Sequence, residues 1–188
     1  WVRMPQSLTV TEVFNAARFA EFTVAPERLF QPTQVALPGA AANAVQAAND
    51  LSRLIIDQGL AGSYVTPYQP GLNGSPLNAS NPIRSGYRLQ ADFDGIMGYG
   101  FSNYRLFVLQ PAQFDDGDNP RLALAPALPE GNLRVASFNV ENLFATIQTG
   151  SVGCGPNFLD CRGASSESEL ARQLIKLSEA LLGLDADV

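Results

Sequence analysis

The sequence predicts an α+β protein in two parts: a small, mostly antiparallel β-barrel, then the first βαβ unit of an open α/β sheet. Three observations lead there. Tyr87, Leu89, Ala91 and Phe93 alternate with Arg88, Gln90, Asp92 and Asp94 at period two, as in a half-buried strand. Short apolar runs bounded by glycine and proline recur through residues 1–112, the punctuation of a small barrel. From Leu133 the pattern becomes a short apolar run, a leucine-rich helical repeat and a second strand entry. Such a crossover is right-handed.

In chain order, Val2-Arg3-Met4, Leu8-Thr9-Val10 and Glu21-Phe22-Thr23-Val24 are strands by their β-branched and aromatic content. Pro26, Pro32, Pro38 and Gly39 make 25–39 a loop, and the alanine-rich stretch from Ala40 to Leu54 favours helix. Leu54-Ile55-Ile56 enters another strand. Residues 59–83 hold eight glycines and prolines and form a long surface excursion, in which Asn78-Ala79-Ser80 is turn chemistry rather than a glycosylation site. Gly95, Gly98 and Gly100 mark bends, and Tyr104 to Leu109 is a further strand. Asp115, Asp116 and Asp118, followed by Pro120, Pro126 and Pro129, form a solvated acidic linker without the ligand set of a calcium loop. The expected organisation is therefore 1–112 as the β domain, 113–131 as linker and 132–188 as the second part.

In that second part, Ser166 and Glu169 fit a capping box at a helix start. Leu170, Leu174, Leu177 and Leu181 then follow at spacings of four, three and four as one apolar stripe, and Gly183 is the expected stop. Asp185-Ala186-Asp187-Val188 begins the next strand.

Composition narrows the function classes. With 46% hydrophobic and 16% charged residues the chain is globular, and no apolar run approaches the ~20 residues of a membrane helix. The net charge of −6, with 12 basic residues of which only Lys176 is a lysine, gives no general affinity for phosphate backbones. Arg84, Arg88 and Arg105 form either a local basic strip or scattered surface charge. Tyr87, Phe101 and Tyr104, interleaved with Arg88 and Arg105, either stack bases or sugars or pack the barrel core. The chain has no histidine, which excludes Ser-His-Asp and Cys-His hydrolysis by its own residues. Its start at Trp1, without an initiator methionine, suggests a piece of a longer or processed protein.

Cys154 and Cys161 enclose six residues, too many for a C-x-x-C redox motif and too few ligands for zinc. A disulfide closing this Gly-Pro loop, in an oxidising compartment, is the simplest reading; two free thiols is the other.

The candidate site lies in Leu133-Arg134-Val135-Ala136-Ser137-Phe138-Asn139-Val140-Glu141-Asn142. A short apolar run fit for a buried strand ends there in Asn139, Glu141 and Asn142. Functional groups of open α/β sheets gather beyond the carboxyl ends of strands, and amide and carboxylate oxygens suit Mg²⁺. Polar residues entering an ordinary loop would look the same.

Leu133 to Phe144 resembles the first block of the endonuclease/exonuclease/phosphatase superfamily, the DNase I-like fold, and in particular its bacterial extracellular nucleases. Asp160-Cys161-Arg162-Gly163-Ala164 and the stretch up to Leu184-Asp185-Ala186-Asp187-Val188 resemble the same group. Val2 to Val10 and Arg28-Leu29-Phe30-Gln31-Pro32-Thr33 resemble the OB-fold-like domain that precedes the nuclease domain there. The resemblance implies a secreted, extracellular or surface-associated nuclease that hydrolyses phosphodiester bonds of DNA or RNA with Mg²⁺ (or Ca²⁺ or Mn²⁺). It places Asn139 in the catalytic centre and Glu141 near the metal; Arg88, Arg105 and Tyr104 are the candidate nucleic-acid contacts. The principal metal-binding Glu, the later Asp/Asn pair and two catalytic histidines of the family have no counterpart in residues 1–188. The chain is expected to be inactive by itself. A non-catalytic binding module for nucleic acid or sugar, or a phosphodiesterase acting on another substrate, are the alternatives.

Overall fold

Period-two burial in short apolar runs builds the first of two compact units, Trp1–Arg121; the second is Leu122–Val188. The computed structural model describes residues 1–63, 71–75, 77–78, 80–111, 113–117, 119–122, 131–148 and 162–188. In unit 1 the strands are β1 (Val2–Met4), β2 (Leu8–Glu12), β3 (Glu21–Ala25), β4 (Leu54–Asp57), β5 (Arg88–Leu89), β6 (Phe93–Gly100), β7 (Asn103–Val108) and β8 (Phe114–Asp115). They pair in the order β1-β6-β7-β4-β3-β2-β5-β8. Every junction is antiparallel except β4–β7, which is parallel. The result is an α+β fold on a curled, mostly antiparallel half-barrel.

One face of the curl carries the core. Leu8 and Val10 of β2, Phe22 and Val24 of β3, Ile56 of β4 and Leu106 of β7 are buried, while their odd-even neighbours face the other way. Phe114 is fully buried and meets Phe22 edge-on with ring centroids 5.2 Å apart. Phe114 lies in β8, so the segment read as a linker from residue 113 begins as a strand of the sheet. An aromatic next to three aspartates is core here because its partner strand β5 offers Leu89 directly opposite.

Three short helices decorate the sheet: α1 (Ala16–Phe19), α2 (Pro32–Val35) and α3 (Ala40–Ser52). The proline-rich stretch expected to be loop thus contains α2. Pro32 is in its first turn, where a missing N–H costs nothing, and Gln31 and Gln34 cap each other reciprocally. The glycines of β6 are not bends. A Cβ on Gly95 would stand 2.6 Å from Leu106 and 2.8 Å from the Phe107 carbonyl, and one on Gly98 2.7 Å from the Phe107 ring. They let β7 side chains lie against the β6 backbone. The bend is made by Phe101 and Ser102, both at positive φ (51° and 61°), in the two-residue loop between β6 and β7.

Unit 2 is built on α4 (Glu167–Leu184). Ser166 accepts the Glu169 N–H at 3.2 Å, as the capping pattern predicts. Glu169 reaches one residue further back than expected, accepting from the Ser165 N–H at 2.8 Å and hydroxyl at 2.6 Å. The less exposed stripe is Leu170, Gln173, Leu177, Ala180 and Leu184; Leu174 and Leu181 are exposed, and no α4 residue is buried. Gly183 does not stop the helix. Asp185 does, in the left-handed conformation (φ 47°), its position helped by an ion pair with Arg134.

Candidate functional site

Asn139 is exposed, just beyond the apolar run that begins at Leu133. That run was expected to be a buried strand. No strand element is formed over 133–138, and Leu133, Val135 and Phe138 are exposed. The backbone nevertheless pairs. The Val188 N–H donates to the Arg134 carbonyl at 3.3 Å and the Ala136 N–H donates to the Val188 carbonyl at 2.9 Å. These two bonds set Val135 opposite Val188 in the parallel sense. The Asp187 N–H also donates to the Arg134 carbonyl at 2.9 Å, and the Asp187 carboxylate accepts the Arg134 N–H at 2.9 Å. Two chain segments on either side of α4 therefore run parallel, as a βαβ unit requires, in a single short rung. One rung covers neither face, which is why the apolar side chains stay in solvent.

Asn139 closes an Asx turn: its Oδ1 accepts the Glu141 N–H at 2.7 Å. Glu141 takes a positive φ of 53° and is exposed. The bond fixes the amide orientation, with Oδ1 toward the backbone and Nδ2 left to donate outward. Asn142 is half-buried and its carbonyl accepts from Gln173 Nε2 of α4 at 3.3 Å, tying the turn to the helix.

This donor set does not fit Mg²⁺ by itself. Residues 139–142 offer one carboxylate and two amides, the Asn139 oxygen is already engaged, and no group of three or more Asp, Glu, His or Cys side chains gathers among the described residues. A near-octahedral Mg²⁺ shell calls for more oxygen ligands than that. Cys154 and Cys161, read as a disulfide, lie outside the described residues.

In unit 1 the three expected nucleic-acid contacts are not brought together. Arg105 is buried between two carboxylates. Its Nη1 donates to Glu21 Oε1 and to Asp57 Oδ2, each at 2.7 Å. The triad spans the neighbouring strands β3, β4 and β7 on the face opposite the core. Burial works against the Arg105 charge, but its bonds to Glu21 and Asp57 outweigh burial and raise its pKa above the ordinary value. It is not available to a phosphate. Tyr104 is exposed and meets Tyr99 edge-on at 5.1 Å. Arg88 is exposed on β5, four strand positions from β7 in the sheet order, so Arg84, Arg88 and Arg105 make no common strip. Arg88 instead shares a cleft of about 410 Å³ with Arg28, Phe30, Thr9 and Asn119, where the Arg28 guanidinium lies 5.3 Å from the Phe30 ring centre.

Glu21 and Asp57 were missed from the sequence. Asp57 carried a signal: a carboxylate closing the apolar run Leu54-Ile55-Ile56 needs a buried partner. Among the described residues, no helix is long and apolar enough to cross a membrane. Comparison of the chain with protein-family models, curated proteins and solved structures finds no match.

Proposed function

We propose that the chain is part of a metal-dependent nuclease, contributing one corner of a centre that hydrolyses phosphodiester bonds. The Asx turn at Asn139 carries this reading. It leaves Nδ2 exposed beyond the end of a parallel-paired segment, oriented to donate to a non-bridging phosphate oxygen rather than to ligate a metal. Mg²⁺ would supply charge neutralisation at the phosphate, and its ligands would come from groups beyond residues 139–142. The present chain supplies neither a general base nor a full ligand set, and it is inactive alone.

The test compares residues 1–188 with a protein extended along the same reading frame, using plasmid DNA, RNA and a phospholipid as substrates. The extended protein cleaves nucleic acid with Mg²⁺ and the shorter chain does not. Asn139→Ala in the extended protein lowers kcat by about 10²–10³ with little change in KM, the scale of losing one oxyanion donor. Full activity in that variant would sink the assignment. Cleavage of the phospholipid alone would move the substrate class while keeping the chemistry.

The Arg28–Phe30–Arg88 cleft favours a second reading, a module that grips single-stranded nucleic acid. Binding by residues 1–188 would then fall with salt, and Arg28→Ala with Arg88→Ala would flatten the logarithmic salt slope by about 1.4. An unchanged slope would reject it.

A further inference from the structure

We infer that unit 1 holds a second binding site, a cleft beside Arg105 that takes a single neutral pyranose ring. The cleft encloses about 270 Å³ and is lined by Asn15, Phe19, Glu21, Ile55, Phe101, Asn103 and Arg105. That is just below the ~300–1,000 Å³ of pockets for drug-sized ligands, so one ring with its substituents fits and a nucleotide does not.

Its polar groups are unfinished. Arg105 is 7% exposed, yet its Nε–H has no hydrogen-bond partner. A buried donor without an acceptor is costly, and nearly all such groups in folded proteins are satisfied. Glu21 accepts from Arg105 through Oε1 only. Asn15 occupies the cap position of α1 without making the capping bond that its side chain ordinarily makes there. Asn103 donates through Nδ2 to the Phe101 carbonyl at 2.8 Å, leaving Oδ1 toward the cleft as an acceptor.

Charge selects the ligand class. Glu21 and Asp57 bring two negative charges against one on Arg105, so an anion meets repulsion. A cation offers no acceptor to the Arg105 Nε–H. A neutral ring with adjacent hydroxyls accepts from Nε and donates to Glu21, and Asn15 and Asn103 serve its further hydroxyls. Phe101 provides an apolar face. Its ring centre lies 5.3 Å from the Arg105 guanidinium while the residue is 89% exposed. The left-handed backbone at Phe101 and Ser102 is a conformation that bulky side chains rarely adopt, and it holds that ring over the cleft.

The site is separate from Asn139, so its test is independent of the nuclease assignment. Chain 1–188 labelled with ¹⁵N is titrated with methyl glycosides of glucose, mannose and galactose and with N-acetylglucosamine. Acetate, phosphate and butylguanidinium are the contrasting probes. At least one pyranoside shifts the Arg105 Nε–H and Asn15 side-chain amide resonances saturably. Phe101→Ala weakens that binding about tenfold, and Tyr99→Ala, on the other face of the same hairpin, leaves it unchanged. Asn15→Ala provides a second weakened variant should Phe101→Ala lose the dispersed spectrum of the folded chain. Silence of both resonances to every sugar overturns the inference, as does a response to phosphate, acetate or butylguanidinium alone. Undiminished binding in a folded Phe101→Ala or Asn15→Ala variant overturns it as well.

Discussion

Arg105 shows how little a residue type says before its neighbours are known. Near Tyr104 in a β segment it resembled a phosphate contact; between Glu21 and Asp57 it is a structural cation. Removing it strands two buried carboxylates. We expect Arg105→Met to destabilise unit 1 by about 3–5 kcal/mol, the usual cost of breaking a buried pair, measured by urea denaturation. A loss below about 1 kcal/mol would mean that water already reaches the carboxylates, as it does at surface pairs. The β6–β7 hairpin offers two opposite effects. Ser102→Gly should raise stability by about 1 kcal/mol, because only glycine takes positive φ freely. Gly95→Ala should cost about 1–3 kcal/mol, because the added methyl meets the Phe107 backbone as well as Leu106. Thermal melts of both variants decide the signs.

At the level of single elements, strand positions were legible where burial alternates. β1, β2, β3, β4 and β7 fall within a residue or two of their expected limits. Alternation stopped helping at Ala91 and Asp92, where a positive φ of 60° at Asp92 turns the chain and divides one expected strand into β5 and β6. The helix start at Ser166 was legible because capping is local. Its end was not, because Asp185 is held by Arg134, a residue far away in sequence. Ser166→Ala should cost α4 about 1 kcal/mol. Hydrogen bonds from Ser165 hold the Glu169 carboxyl below its ordinary pKa. A depressed carboxylate stabilises fully above its unfolded value, about 4.3, and that contribution disappears as pH falls through the lower folded value. We expect the acid limb of α4 helicity, followed by circular dichroism, to be less steep in Glu169→Gln. An identical limb would show that Ser165 contributes nothing to the cap.

Across the whole molecule, the α+β class and a change of pattern near residue 120 were visible in composition and periodicity. The strand order was not, because pairings such as β1 with β6 depend on contacts that no local window contains. The site was legible only as residue types. Asn139 could be picked out, but the direction of its amide comes from the bond to Glu141. The apolar segment expected to be buried at 133–138 is in solvent, as are Leu182 and Val188. Unit 2 should therefore bind the dye ANS strongly while unit 1, expressed as residues 1–121, should not. Equal fluorescence from 1–121 and 1–188 would locate the exposed apolar surface elsewhere.

The parallel junction of β4 with β7 has a kinetic consequence. β2, β3 and β4 form one antiparallel run and β6 with β7 a hairpin, each of which can assemble from nearby residues. Joining them closes a long stretch of chain, an entropic cost met before any reward arrives. The same event carries a hydrated guanidinium on one piece between two carboxylates on the other. Weakening that seam should slow refolding, whereas loosening the outer edge at β1 should chiefly hasten unfolding.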